Sequence, residues 1–183
     1  MTMILDGTAG VTFPASQTPS MTAYQGGVIT SGTAVASTSG TSIDFTSIPS
    51  WVKRITVMFN GVSTNGTSNI LIQIGAGSIT ATGYSGSGSV IGGSSASSAN
   101  YTTGFGLTGA FASYDYSGNL VICLQDISTN TWTANGFFGS STITANWFTS
   151  GKKSLSGTLD RVRITTVNGT DTFDAGSINI LYE

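Results

Sequence analysis

The sequence predicts an all-β fold, an antiparallel β-sandwich of jelly-roll type preceded by a short extended N-terminal arm. Three observations lead there. Apolar residues nowhere recur at helical spacing; short β-branched and aromatic runs alternate with polar residues instead. Gly, Asn and Ser punctuate these runs every few residues. The 183 residues suffice for one sandwich with an extension.

Residues 1–27 hold Pro14 and Pro19 and little apolar periodicity, so they read as an arm or anchor ahead of a sandwich over residues 28–183. Strands are expected at residues 28–36 and 41–45. Over residues 52–60, Ile55, Val57 and Phe59 share one face and Arg54, Thr56 and Met58 the other. Further strands fall at 70–74 and 103–110. Between them the Gly/Ser tract 83–98 carries only Tyr84, Val90 and Ile91 as large apolar residues, and reads as a long loop, mobile or held by a neighbour. Residues 120–124 are apolar on both faces, as befits a strand covered by a second sheet on one side and another subunit on the other. Strands follow at 131–138 and 142–148. Residues 160–166 turn Val162 and Ile164 inward and Arg161 and Arg163 outward, and residues 177–183 alternate Ile178, Ile180 and Tyr182 against polar neighbours. Turns are expected at Asn60-Gly61, Asn65-Gly66, Ser117-Gly118, Asn135-Gly136 and Asn168-Gly169.

Only 8% of the chain is charged, against roughly 25% in an ordinary soluble domain. Ser and Thr number 56 and Gly 25. Such a surface is covered by hydroxyls and backbone or buried against partners, as in chains that live in a larger assembly. The net charge of −2 gives no electrostatic reason to bind nucleic acid. Lys53/Arg54, Lys152/Lys153 and Arg161/Arg163 are pairs, too short to track phosphates. Cys123 sits within an apolar run and reads as a buried, unreactive thiol. No long apolar stretch and no basic, apolar leader occurs, so neither membrane insertion nor export is expected.

The absence of histidine removes Ser-His-Asp and Cys-His catalysis and His-containing metal sites. A carboxylate pair for glycoside cleavage is conceivable among Asp115, Asp126, Asp160, Asp171 and Asp174, but most lie beside turn residues, where Asp serves the backbone. Neither a catalytic residue nor a cofactor is expected. Aromatics are the better lead. Tyr114, Asp115 and Tyr116 precede Ser117-Gly118-Asn119, so an exposed turn there would carry two phenols and a carboxylate. Trp132 and Asn135 stand at the Asn135-Gly136 turn. Rings that stack on sugars, beside Asp or Asn gripping hydroxyls, make a receptor-binding surface. The same rings also fit a sandwich core or an oligomer interface.

Residues 41–57, TSIDFTSIPSWVKRITV, resemble a strand common in the tail and fibre proteins of tailed bacteriophages. Residues 159–165 and 173–183 resemble the C-terminal strands of the same proteins, and residues 4–14 are similar to segments that precede or link fibre domains. The likeness covers roughly residues 41–183. It implies a β-sandwich virion protein, often homotrimeric, at a fibre tip, baseplate or capsid surface, with no catalytic signature. With only about 27 residues ahead of the sandwich, a short fibre or tip protein is expected rather than a long fibre. The implied partners are two further copies, other virion proteins bound through the arm, and a host surface glycan. A capsid decoration or head-fibre protein is the nearest alternative, and a glycan-degrading tail enzyme the more distant one.

An arm that orders only on a partner contributes nothing to folding in isolation. Deleting residues 1–27 is therefore expected to leave the cooperative thermal transition in place while abolishing incorporation into particles. Loss of the transition itself refutes the division at residue 28.

Overall fold

Buried and exposed residues alternate along the long strands, as period-two geometry demands where one face meets a core. The computed structural model describes residues 4–6, 10–12, 29–92 and 95–183. Among these residues there is no helix. Strands β1 (Ile4–Asp6) and β2 (Gly10–Thr12) pair only with each other. The remainder of the expected arm lies outside the described residues.

In chain order the sandwich comprises β3 (Thr30–Ser31), β4 (Val35–Ala36), β5 (Ile43–Phe45), β6 (Arg54–Thr64), β7 (Ile70–Ala76), β8 (Ser78–Ile79) and β9 (Ser85–Gly92). It continues through β10 (Ser95–Tyr101), β11 (Phe105–Leu107), β12 (Tyr116–Asp126), β13 (Thr131–Gly139), β14 (Ala145–Ser154), β15 (Arg161–Thr166) and β16 (Phe173–Tyr182). The small sheet runs β11-β7-β15-β5, with β8 beside β7. The large sheet runs β10-β9-β14-β13-β12-β6-β16-β3, with β4 also on β16. All pairings are antiparallel.

This order contains a jelly roll. One half is β3/β4-β16-β6-β12 and the other is β5-β15-β7-β11, the chain crossing between them at successive steps. Two hairpins are inserted into its connections, β9–β10 before β11 and β13–β14 after β12. Both join the large sheet beyond β12 and widen it by four strands. The Gly/Ser tract expected to be a loop is thus a strand pair, held by an unbroken register from Ser95↔Gly92 to Tyr101↔Gly86.

The core lies between the sheets. Ile55, Val57 and Phe59 of β6, Ile70, Ile72 and Ile74 of β7, and Val162 and Ile164 of β15 meet there, all buried. The predicted inward faces of residues 52–60 and 160–166 are the observed ones. Trp132, Phe138 and Trp147 fill the part built by the inserted β13–β14 hairpin. Of the two-faced run at 120–124, Leu120 and Ile122 are buried, while Val121 and Cys123 stand half-buried on the outer face. Cys123 is therefore not the enclosed thiol the sequence implied.

Three expected turns fall inside strands. Asn135-Gly136 lies mid-β13, Asn60-Gly61 forms a bulge in β6, and Ser117-Gly118 of β12 runs opposite that bulge. A second bulge lies at Asp174 of β16, and Gly176 of the same strand faces the β6 bulge from the other side. There Gly61 has φ 61° and Gly176 φ 88°. The β6 bulge resets the alternation, so that Val62 and Thr64 face inward after Phe59. An added methyl on Gly176 would stand 2.3 Å from the Gly61 carbonyl oxygen, whereas one on Gly61 meets nothing within 4 Å.

Gly176→Ala is therefore expected to destabilise by about 2 kcal/mol or more, through both strain and overlap. Gly61→Ala should cost only the left-handed backbone penalty of about 1 kcal/mol. Urea unfolding midpoints separate the two; equal losses refute the close approach.

Candidate functional site

The sequence-predicted residues do not form one site. Tyr116 is only 1% exposed and packs edge-on against Trp147 at 4.8 Å between ring centroids. Tyr114 is half-buried, against Phe111 at 5.0 Å and Trp147 at 6.1 Å. Burial pushes the Tyr116 hydroxyl up, with further upward contributions from neighbouring Tyr114 and Tyr101. These phenols are part of the packing around Trp147, not the tip of an exposed turn. Trp132 is likewise buried in the core.

Asp115 serves the backbone. Its carboxylate accepts from Ser140 Oγ at 2.6 Å, from the Ser141 amide and hydroxyl at 2.8 Å each, and from the Thr142 amide and hydroxyl at 3.0 Å each. Its own amide donates to Thr142 Oγ1. Partial burial raises its pKa, but the hydrogen bonds from Ser140, Ser141 and Thr142 outweigh that and hold the carboxyl well below the ordinary 3.8.

Other described carboxylates are committed in similar ways. Asp44 takes a two-point contact from Arg163, with both N–O distances 2.7 Å, and Asp160 pairs with Arg161. Glu183 pairs with Arg54, and Asp126 and Asp171 brace turns. Asp174 accepts from Ser63 Oγ. No group of three or more His, Cys, Asp or Glu side chains among the described residues is placed to hold a metal ion. No helix among them is long and apolar enough to cross a membrane.

Asn135 is the predicted residue that stands exposed, on the outer face of the large sheet. Its strand puts Trp132, Ala134 and Phe138 inward, and hence Thr133, Asn135 and Phe137 outward. Next to it, β14 buries Trp147 and turns out Phe148. Phe137 and Phe148 are direct cross-strand partners, their rings edge-to-face at 5.1 Å and 52% and 41% exposed. Around them lie Asn119, Asn135, Ser89, Ser87 and Ser150, lining a depression of about 420 Å³. Ser87 and Ser150 also border a second depression of about 500 Å³, which continues over β9 and β10 to Asn100 and Thr102. Together they form a groove that crosses the strands, floored by two phenyl rings and walled by amides and hydroxyls.

Phe137 and Phe148 escaped the sequence reading, yet a signal was present. Phe137-Phe138 and Trp147-Phe148 are aromatic doublets, and in a strand one member of each doublet must leave the core. The amides and serines around them carry no such mark.

Comparison with known proteins finds no matching family, no similar curated protein and no similar solved structure.

Asp115 stabilises through its ionised form, so its contribution is complete above the unfolded pKa near 3.8 and is lost as pH falls toward its depressed folded value. Asp115→Asn is therefore expected to cost about 2 kcal/mol at neutral pH and to flatten the acid limb of stability below pH 4. Thermal unfolding between pH 2 and 7 measures this; an unchanged acid limb refutes the carboxylate's role in the 140–142 turn.

Proposed function

We propose that the chain is a structural component of a bacteriophage particle, of the short tail-fibre or tail-tip type, that attaches the particle to the host surface. Residues 1–27 dock on other virion proteins and the sandwich is displayed outward. The observation that carries this reading is the outer face of the large sheet. Two phenyl rings are left half-exposed there on a chain whose Arg54, Arg161 and Arg163 are already spent on internal pairs. Exposed apolar side chains gathered on one face mark an interaction surface. The sequence likeness at residues 41–57, 159–165 and 173–183 supplies the virion context, and the jelly roll is an architecture that capsid and lectin domains share.

Assembly into a homotrimer fits a second uncovered apolar area. Phe111, 52% exposed, lies with Tyr114, Val90 and Ile143 around a hollow of about 470 Å³ at the other side of the β9–β10 hairpin. Three copies would present three outer faces together, so that weak contacts add into firm attachment.

Purified protein added to host cells before the particles is expected to slow adsorption in proportion to its concentration, and antibodies against it should label the tail. Light scattering is expected to return three chains per particle of protein. Labelling confined to the capsid surface, or unaltered adsorption at saturating protein, refutes the attachment role.

A further inference from the structure

We propose that the outer groove binds a neutral, extended polysaccharide, the polymer lying across the strands. This deepens the attachment reading and rests on it only for where the polymer comes from.

Four properties of the groove select this ligand. First, its floor is aromatic without being enclosed. The Phe137 and Phe148 rings, edge-to-face, present π surface to solvent, and such surface attracts the weakly positive C–H face of a pyranose ring. A buried pocket would take a small molecule whole; an open floor takes part of something longer. Second, its walls are amides and hydroxyls. Asn119 and Asn135 each offer a donor pair and an acceptor, and Ser87 and Ser150 offer groups that can do either, which matches sugar hydroxyls. Third, the lining of both depressions contains no charged side chain. Lys152, the outward cation on β14, stands opposite Ser85 at the margin of the second depression but is not part of its lining. An anionic polymer would find little to neutralise it. Fourth, the groove is long. From Asn119 on β12 to Asn100 on β10 it crosses β13, β14 and β9, four inter-strand spacings or roughly 19 Å. That accommodates several sugar rings in a row, and the groove is open at the β10 edge of the sheet.

A second copy of this chain is the competing occupant, because half-exposed phenylalanines also suit a subunit contact. The hydroxyl and amide walls disfavour it, since a protein face would have to pair each of those groups on desolvation.

Affinity gel electrophoresis of the full chain tests the proposal, with dextran, laminarin and galactomannan as neutral polymers and alginate and polysialic acid as anionic ones. At least one neutral polymer is expected to retard the protein, and its longer oligosaccharides should compete better than the disaccharide. Phe137→Ser with Phe148→Ser is expected to weaken retardation about tenfold or more, with the unfolding transition retained. Asn135→Ala, which leaves the rings in place, should weaken it to a lesser degree, and Lys152→Ala should leave it unchanged. Retardation by the anionic polymers alone, by none of the neutral ones, or unaltered in the double variant overturns the proposal. So does dissociation of an oligomer by the double variant, which would assign the face to a second copy. If the protein blocks adsorption of particles but no neutral polymer retards it, attachment stands and this ligand class falls. If neutral polymers retard it but antibodies find it on no particle, the groove stands and the virion reading falls.

Discussion

The widened sheet depends on a small buried polar network at the junction between the jelly roll and its inserted β9–β10 hairpin. Asn69 Nδ2 donates to the Tyr101 hydroxyl at 2.8 Å, and that hydroxyl lies 2.9 Å from Thr108 Oγ1. Thr108 Oγ1 donates onward to the Gly88 carbonyl at 2.9 Å, and Asn69 Oδ1 accepts from the amides of Gly109 and Ala110. The Thr108 carbonyl receives Trp147 Nε1 at 2.8 Å. Five segments of chain are thereby tied at one point. The β9–β10 hairpin has few large apolar residues to bury, so area alone would hold it weakly. Its place is set by the backbone ladder to β14 and by this network, whose members are costly to leave unpaired once enclosed. Burial pushes the Tyr101 hydroxyl up, against the opposing pull of its bonds with Thr108 and Asn69, so the phenol stays neutral and available to bridge.

Charge is used sparingly, and mostly within the chain. Arg163 and Asp44 join β15 to β5 at directly opposed positions, and Arg54 and Glu183 meet where β6 and the C-terminus converge. Lys153, mostly buried, sits over the Tyr84 ring at 5.5 Å from its centroid. Partly exposed pairs of this kind contribute little stability. Their effect is rather to leave broad areas of the surface without formal charge, the outer groove among them.

The jelly roll was legible because its strands bury one face. Ile55, Val57 and Phe59, or Val162 and Ile164, write the period into the sequence. The inserted hairpins were less so, for two physical reasons. Strand β9 opens on five residues of Ser and Gly, whose small side chains suit both faces, so alternation leaves no trace there. Asn-Gly and Ser-Gly pairs signal a chain reversal when the chain is free to turn, yet here neighbouring strands on both sides capture Asn60-Gly61 as a bulge in β6 and hold Ser117-Gly118 in extended β12 opposite it. The candidate site suffered from a similar ambiguity. Tyr114, Asp115 and Tyr116 have the chemistry of a binding turn, but the rings are drawn to Trp147 and the carboxylate to the amides of the 140–142 turn. Asn135-Gly136 carries the local signal of a turn, but Asn135 stands exposed because its strand alternates.

That alternation separates two kinds of inheritance. The eight-strand roll completes its pairing without either inserted hairpin, and on β13 and β14 every second side chain faces away from the core. Mutations at Thr133, Asn135, Phe137, Asn146, Phe148 and Ser150 alter what the surface touches, while their alternate neighbours Trp132, Ala134, Phe138, Ala145, Trp147 and Thr149 keep the fold. A lineage under pressure to change its target can thus drift along one parity of positions and stay conserved along the other, so that specificity evolves at half the residues of a strand without cost to the half that holds it.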